Sequence, residues 1–341
     1  MKQWWWKFLA VALLLFASIA AFWVPLAPAL VHISPDRIAP GPVELVITGY
    51  NTHFITESAL EVWLENGQGK WCASDVTPVD DTHLKISLDA PAGLKENLST
   101  LALFSGRDGL LRMPEALWTE GTGNNGVAER SSCVPGNTRS GHLFVFPNRS
   151  ILYESIRNLH FHVPMWFTMI VLMAISVFQS IRVLGSNSLA QDQAAELAAK
   201  VGLVFCFLGL VTGALWARAT WGAFWTNDVK LNGAAVTGLI YLAYLVLRGS
   251  VQDAHKRARL AAIYNIFAFV LLVLFLFVVP RLNAVDSLHP GNGGNSGFSD
   301  LDLDSRLRVI FYPAVLGWIL LGVWMYDLRV RAARLAETLD R

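Results

Sequence analysis

Histidine and tryptophan are the side chains whose placement in this chain calls for a chemical explanation. His160 and His162 stand in NLHFHVPMWF (158–167), and His289 stands in DSLHPGNGGNSG (286–297). Trp216, Trp221 and Trp225 run through LVTGALWARATWGAFWTNDVKL (210–231), which also carries Arg218, Asp228 and Lys230. An imidazole nitrogen can bind a metal or carry a proton, and an indole offers a broad apolar face with one N–H donor. On a helix, two residues separated by one other do not share a face. One of His160 and His162 therefore aims where His289 does, and His162, just before Val163-Pro164, is the better held. Pro164 fits the first turn of a helix, where its missing N–H costs nothing. The remaining histidines, His32, His53, His83, His142 and His255, read as ordinary polar surface.

Iron porphyrin would use this whole set. Its iron takes axial imidazoles above and below the ring, and its faces pack on aromatics. Its propionates need cationic or N–H donors, for which Arg218, Lys230, Arg306 and Arg308 are candidates. A plainer reading uses the same residues, because tryptophans and polar side chains belt the edges of membrane helices. A belt requires neither an aspartate nor indoles so closely spaced. The residues alone leave both readings open.

The elements that must position these side chains are apolar runs. The chain has 341 residues, 54% hydrophobic and 16% charged, against about 25% charged in a typical soluble domain. The net charge of +1 gives no indication of nucleic-acid binding. Apolar stretches cover roughly 8–30, 161–181, 199–217, 260–280 and 309–328, each near the ~20 residues that cross a bilayer as a helix. A sixth, 234–247, reaches that length if extended back to Leu231. Six transmembrane helices are expected. Lys2, Lys7, the basic 248–259 loop (Arg248, Lys256, Arg257, Arg259) and Arg329, Arg331 and Arg334 then share one side, the cytoplasm. Arg306 and Arg308 dissent. The segments near 31–158, 217–233 and 281–306 face outward. APA at 27–29 resembles a signal-peptidase site, but the run before it is long for a signal peptide, so a retained first helix (1–31) is favoured.

Residues 32–150 differ in kind. VELVITGY, ALEVWLEN, HLKISLDA and STLALFSG alternate with period two between Gly, Pro, Asn and Asp clusters, which predicts an all-β, immunoglobulin-like sandwich outside the membrane. Its opening resembles that of IPT/TIG domains. Cys72 and Cys133 lie here and would form one disulfide in an oxidising compartment, while Cys206 lies in an apolar run and reads as packing. Residues 151–341 form the remaining five-helix core.

LVTGALWARATWGAFWTNDVKL resembles the tryptophan-rich WWD signature of cytochrome c biogenesis proteins, in particular the heme exporter protein C family of the System I pathway. HFHVP resembles that family's first heme-ligand site and SLHPG its second, mapping the axial ligands to His162 and His289. Where the family has W-x-W-D, this chain has Trp225-Thr226-Asn227-Asp228, and the usual basic-Leu-Thr ending is Lys230-Leu231-Asn232. The β-domain has no counterpart in the shorter members. The resemblance implies a heme-handling protein of the bacterial inner membrane rather than an enzyme, with at most lyase-like assistance on its partner. Heme b would be held at the periplasmic face by His162 and His289, with Trp216, Trp221, Trp225, Asp228, Arg218 and Lys230 around it. It would pass to a periplasmic heme chaperone, beside ABC-type export subunits and a small membrane subunit. Two alternatives are a polytopic secondary transporter, against which the scarcity of ionisable residues in the apolar runs argues, and a membrane redox subunit, whose heme would sit within the bundle. A mere anchor for the β-domain would need only one helix.

Overall fold

The computed structural model describes residues 4–57, 59–67, 69–90, 98–120, 144–282, 287–289 and 303–339. Cys133 and His142 lie outside the described residues. Two compact units result, one of Met1–Val24 with Ile151–Arg341 and the other of Pro25–Ser150.

The first unit is the membrane protein that the apolar runs predict, with six helices among the described residues long and apolar enough to span a bilayer. They are α1 (Trp5–Trp23), α2 (Leu159–Ser186), α3 (Leu189–Trp221), α4 (Val229–Ser250), α5 (Ala254–Val273) and α6 (Ser305–Leu339). The first helix ends at Trp23 and not at 31. Val24 precedes Pro25 and is extended, since a residue before proline is pushed out of the helical region. A 3-10 turn, Tyr153–Asn158, leads into α2. From it Arg157 donates to the carbonyls of Ala21 and Val24 at 2.6 and 2.7 Å, satisfying groups that the end of α1 leaves open. Pro164 falls inside α2 and not in its first turn, because helix begins before His160.

The other end of the bundle corrects the reading of Arg248. It does not lie in a basic loop: α4 continues to Ser250 and buries it. Arg248 donates to Asp192 Oδ1 and Oδ2 at 2.5 and 2.8 Å and to Glu196 Oε2 at 2.8 Å. Asp192 and Glu196 lie in α3, which starts ten residues before the apolar run and so carries charge into the bundle. Asp192 is in the first turn of α3 and Arg248 in the last turn of α4, so ionisable groups gather at this end of the bundle as well as at the outer mouths. Deeper in, Asn265 of α5 donates to Ser176 and Ser180 of α2 at 2.7 and 2.8 Å, and Ser176 donates to the Ala195 carbonyl of α3 at 2.6 Å. Such bonds and close packing hold helices together where lipid supplies no hydrophobic drive.

The second unit is a sandwich. Its strands are β1 (Ala29–Ser34), β2 (Arg37–Ile38), β3 (Gly41–Tyr50), β4 (Leu60–Asn66), β5 (Gly69–Cys72), β6 (Asp75–Pro78), β7 (His83–Ala90), β8 (Leu98–Ser105) and β9 (Gly109–Thr119). They form sheets of order β1-β3-β7-β6 and β2-β9-β8-β4-β5. Taken as A-B-E-D and G-F-C-C′, with β2 running parallel to β9, this is the immunoglobulin-like arrangement. Leu45, Ile47, Leu84, Ile86 and Leu88 of one sheet pack with Val62, Leu64, Leu101, Leu103 and Leu117 of the other. Alternation is clean in β7, but β8 is buried on both faces. The reason is a second cluster, Trp63, Ala102 and Phe104, with Cys72 against it. Cys72 is disulfide-bonded, whereas Cys206 is a buried free thiol.

Removing one partner of a buried ion pair strands the other. Asp192→Ala is therefore expected to destabilise the bundle by about 3–5 kcal/mol, read as a lowered unfolding midpoint of the detergent-solubilised protein. Ser74→Ala, which removes only an exposed strand-edge hydroxyl, leaves that midpoint nearly unchanged.

Candidate functional site

One end of the bundle gathers the histidine and tryptophan segments. His162, in the first turn of α2, lies against α3: its Nδ1 is 3.1 Å from Thr212 Oγ1, and its ring meets those of Trp216 and Trp166 edge-on at 5.7 and 6.2 Å. A Cβ at position 213 would fall 2.6 Å from His162 Cε1, so glycine is what lets this ring sit on α3. Asn158 donates to the Thr212 carbonyl at 2.9 Å, and Trp216 Nε1 donates to Ser155 Oγ at 3.1 Å, fixing the start of α2 to the same helix. His160 points elsewhere and is buried.

The aromatic segment is not the loop that its composition implied. α3 continues through Trp221, so Trp216, Arg218 and Trp221 are helical, and the loop proper is 222–228. No glycine or proline occurs between Trp216 and Gly222, which ends the helix in the left-handed conformation with φ +80°. Trp221 meets the His289 ring edge-on at 5.1 Å. With Trp216 on His162 and Trp221 on His289, one helix terminus brings both imidazoles to the same end of the bundle.

Asp228 closes the arrangement. Its side chain is 1% exposed. The backbone N–H groups of Lys230 and Leu231 donate to Oδ1 at 2.8 and 3.3 Å, capping α4. The Ser287 hydroxyl and Leu288 N–H donate to Oδ2 at 2.7 and 2.8 Å, and His289 Nδ1 donates to Oδ1 at 3.0 Å. Burial alone would raise this carboxyl, but the bonds from His289, Ser287 and Leu288 hold it below the usual carboxylate range. Asp228 is thus a junction between α4 and the His289 segment.

The other expected residues take varied positions. Trp225 is 46% exposed and donates from Nε1 to Asn232 Oδ1 at 3.2 Å, while Asn232 donates to Asn227 Oδ1 at 2.8 Å. Asn227 and Asn232, where the chain departs from the W-x-W-D pattern and its ending, therefore bond to each other and fix the Trp225 indole. Arg218 is exposed, hydrogen-bonded to the Gly222 carbonyl and placed over Phe224 with its guanidinium 5.9 Å from the ring centroid. Lys230 lies in the first turn of α4, and Arg306 and Arg308 in that of α6. Thr212 and Gly213, which seat His162, were not singled out by their types. The available signal was spacing, since Thr212 lies four residues before Trp216 on one helix face.

An iron porphyrin fits this chemistry: two imidazoles on separate elements, each with Nδ1 engaged and each beside an indole of α3, with cations on neighbouring helix ends. Fold and composition together define a polytopic membrane protein, with the candidate site residues at one mouth of the bundle. Residues 134–340, which contain α2 to α6, match the family model described as heme exporter protein C. The chain is 32% identical to heme exporter protein C of Bradyrhizobium diazoefficiens over 149 residues, 43% of this chain and 56% of that one. The Haemophilus influenzae protein of the same name is 29% identical over 196 residues, 55% and 75% of the two chains. The Escherichia coli K12 one is 27% identical over 180 residues, 52% and 70%. The chain belongs to the heme exporter protein C family. Helix α1 and both β-sheets lie outside the matched segment.

Asp228→Ala removes a helix cap and the tie to Ser287 and Leu288. The cap alone is expected to cost about 0.5–2 kcal/mol, and proteolysis next to His289 should become faster at neutral pH. The carboxyl is depressed in the folded protein, so its stabilisation is complete above the unfolded value of about pH 4 and fades as pH falls through the lower folded value. Thermal midpoints measured from pH 7 to pH 3 should show the onset of that loss in the parent, and a shallower one in Asp228→Asn.

Proposed function

We propose that this protein holds heme b at the periplasmic face of the bacterial inner membrane and passes it to a periplasmic heme chaperone of cytochrome c maturation. His162 and His289 serve as axial ligands. Trp216 and Trp221 fix the two imidazoles, and the exposed Phe224–Trp225 edge faces the partner. Arg218, Lys230, Arg306 and Arg308 supply the cations for propionates. The protein acts as a delivery device, and its partners include ABC-type export subunits and a small membrane subunit.

One observation carries the reading. Two imidazoles far apart in sequence meet opposite ends of the short helical stretch Trp216–Trp221, each through a ring contact. The relatives' shared description as heme exporters supports heme as the cargo. The disulfide at Cys72 favours an oxidising compartment for the β-domain. Lys256, Arg257, Arg259, Arg329, Arg331 and Arg334, at the opposite end from His162, favour that end as cytoplasmic. The iron itself supplies the coordination chemistry. This chain's residues orient the ring, present nitrogen donors and shield one face from water.

Histidines at helix mouths suit a cargo that must leave, since loss of one bond opens the site toward the partner. The β-domain is placed in this reading as the docking module for chaperone or apocytochrome.

In the detergent-purified protein the Soret band should shift in both His162→Ala and His289→Ala and vanish in the double variant. Unchanged spectra in both single variants would dismiss the assignment. Replacing residues 35–148 by a short linker should preserve the Soret band and slow heme transfer to the chaperone by at least about tenfold, the effect of losing ~1.4 kcal/mol of docking.

A further inference from the structure

We infer that the two axial imidazoles are unequal: His289 is the strong, retained ligand and His162 the weak ligand that lets go first. This rests on the heme-holding reading of the same site.

Both rings are set in one tautomer by what accepts at Nδ1. Asp228 Oδ1 lies 3.0 Å from His289 Nδ1, and a carboxylate accepts only, so Nδ1 keeps the proton and the lone pair resides on Nε2. Thr212 Oγ1 lies 3.1 Å from His162 Nδ1. That hydroxyl donates its own hydrogen to the Leu208 carbonyl at 2.8 Å, which leaves its oxygen to accept from His162. Nε2 is again the donor to a metal.

The acceptors differ in charge. Asp228 is a buried carboxylate whose two oxygens both accept from N–H or O–H donors, and a hydrogen bond to an anion is roughly twice as strong as a neutral one. A carboxylate behind a metal-bound histidine pushes electron density into the ring and raises its basicity toward the metal. Thr212 is neutral and gives His162 no such push. Asp228 is therefore a positioning and tuning residue that acts through His289, and the asymmetry gives heme release an order. The bond on the α2 side opens first, while His289 keeps hold of the iron until the partner supplies a ligand.

Resonance Raman spectroscopy of the full-length protein with ferrous heme tests this through the iron–imidazole stretch. His162→Ala leaves His289 as sole protein ligand, and His289→Ala leaves His162. The stretch is expected at higher frequency in His162→Ala than in His289→Ala. Adding Asp228→Asn to His162→Ala, which retains an acceptor oxygen for the helix cap, should lower it. Heme loss to excess apomyoglobin should be about 10–100-fold faster from His289→Ala than from His162→Ala. The comparison between the two single variants needs no change at Asp228, so it stands if that variant does not fold. Equal frequencies and equal loss rates, in variants that each hold heme through one imidazole, overturn the inequality and leave the heme site standing. A parent-like six-coordinate spectrum in both variants overturns the heme assignment and the inequality with it.

Discussion

A carboxylate removed from water must find its donors inside the protein, and at Asp228 that requirement shapes the whole site. An ionised side chain with 1% exposure is tolerable only because five donors converge on it. Two come from the first turn of α4 and three from residues 287–289. The same charge therefore begins a helix and fastens a distant segment beside it. Without this satisfaction the His289 ring would have no fixed position relative to α3, and Trp221 would have no imidazole to meet.

The rest of the bundle works by close approach and paired polarity. Glycine on α3 allows the His162 ring to lie on the helix surface. Arg248 with Asp192 and Glu196, and Asn265 with its two serines, tie α2, α3, α4 and α5 together toward the other end. In lipid, apolar side chains gain little by leaving their surroundings for each other, so small residues and satisfied polar groups carry the specificity. At the His162 end Asn227 and Asn232 form an amide pair, and that pair holds Trp225 through its N–H.

The β-sandwich stands on a separate physical basis. Its core is built from alternating aliphatic side chains of two facing sheets, closed on one outer face by Trp63 and Phe104 near the disulfide-bonded Cys72. It lies outside the segment that matches the family.

Periodicity and local context made much of this protein legible. Apolar runs of bilayer length determined the number of helices. Period-two alternation determined the sandwich, and the local settings of His162, His289 and the tryptophans marked the residues that gather at one end. These are properties of neighbours in sequence, where burial of one face or a whole segment leaves a pattern. The partners of buried charge depend on segments far apart and leave none. Only the tertiary structure showed Arg248 inside the bundle, since an arginine after an apolar run looks the same whether an acid meets it or water does. Only the tertiary structure turned the Trp216–Trp221 segment into helix and Asp228 into the anchor of His289, because a buried carboxylate's partners are chosen by the fold.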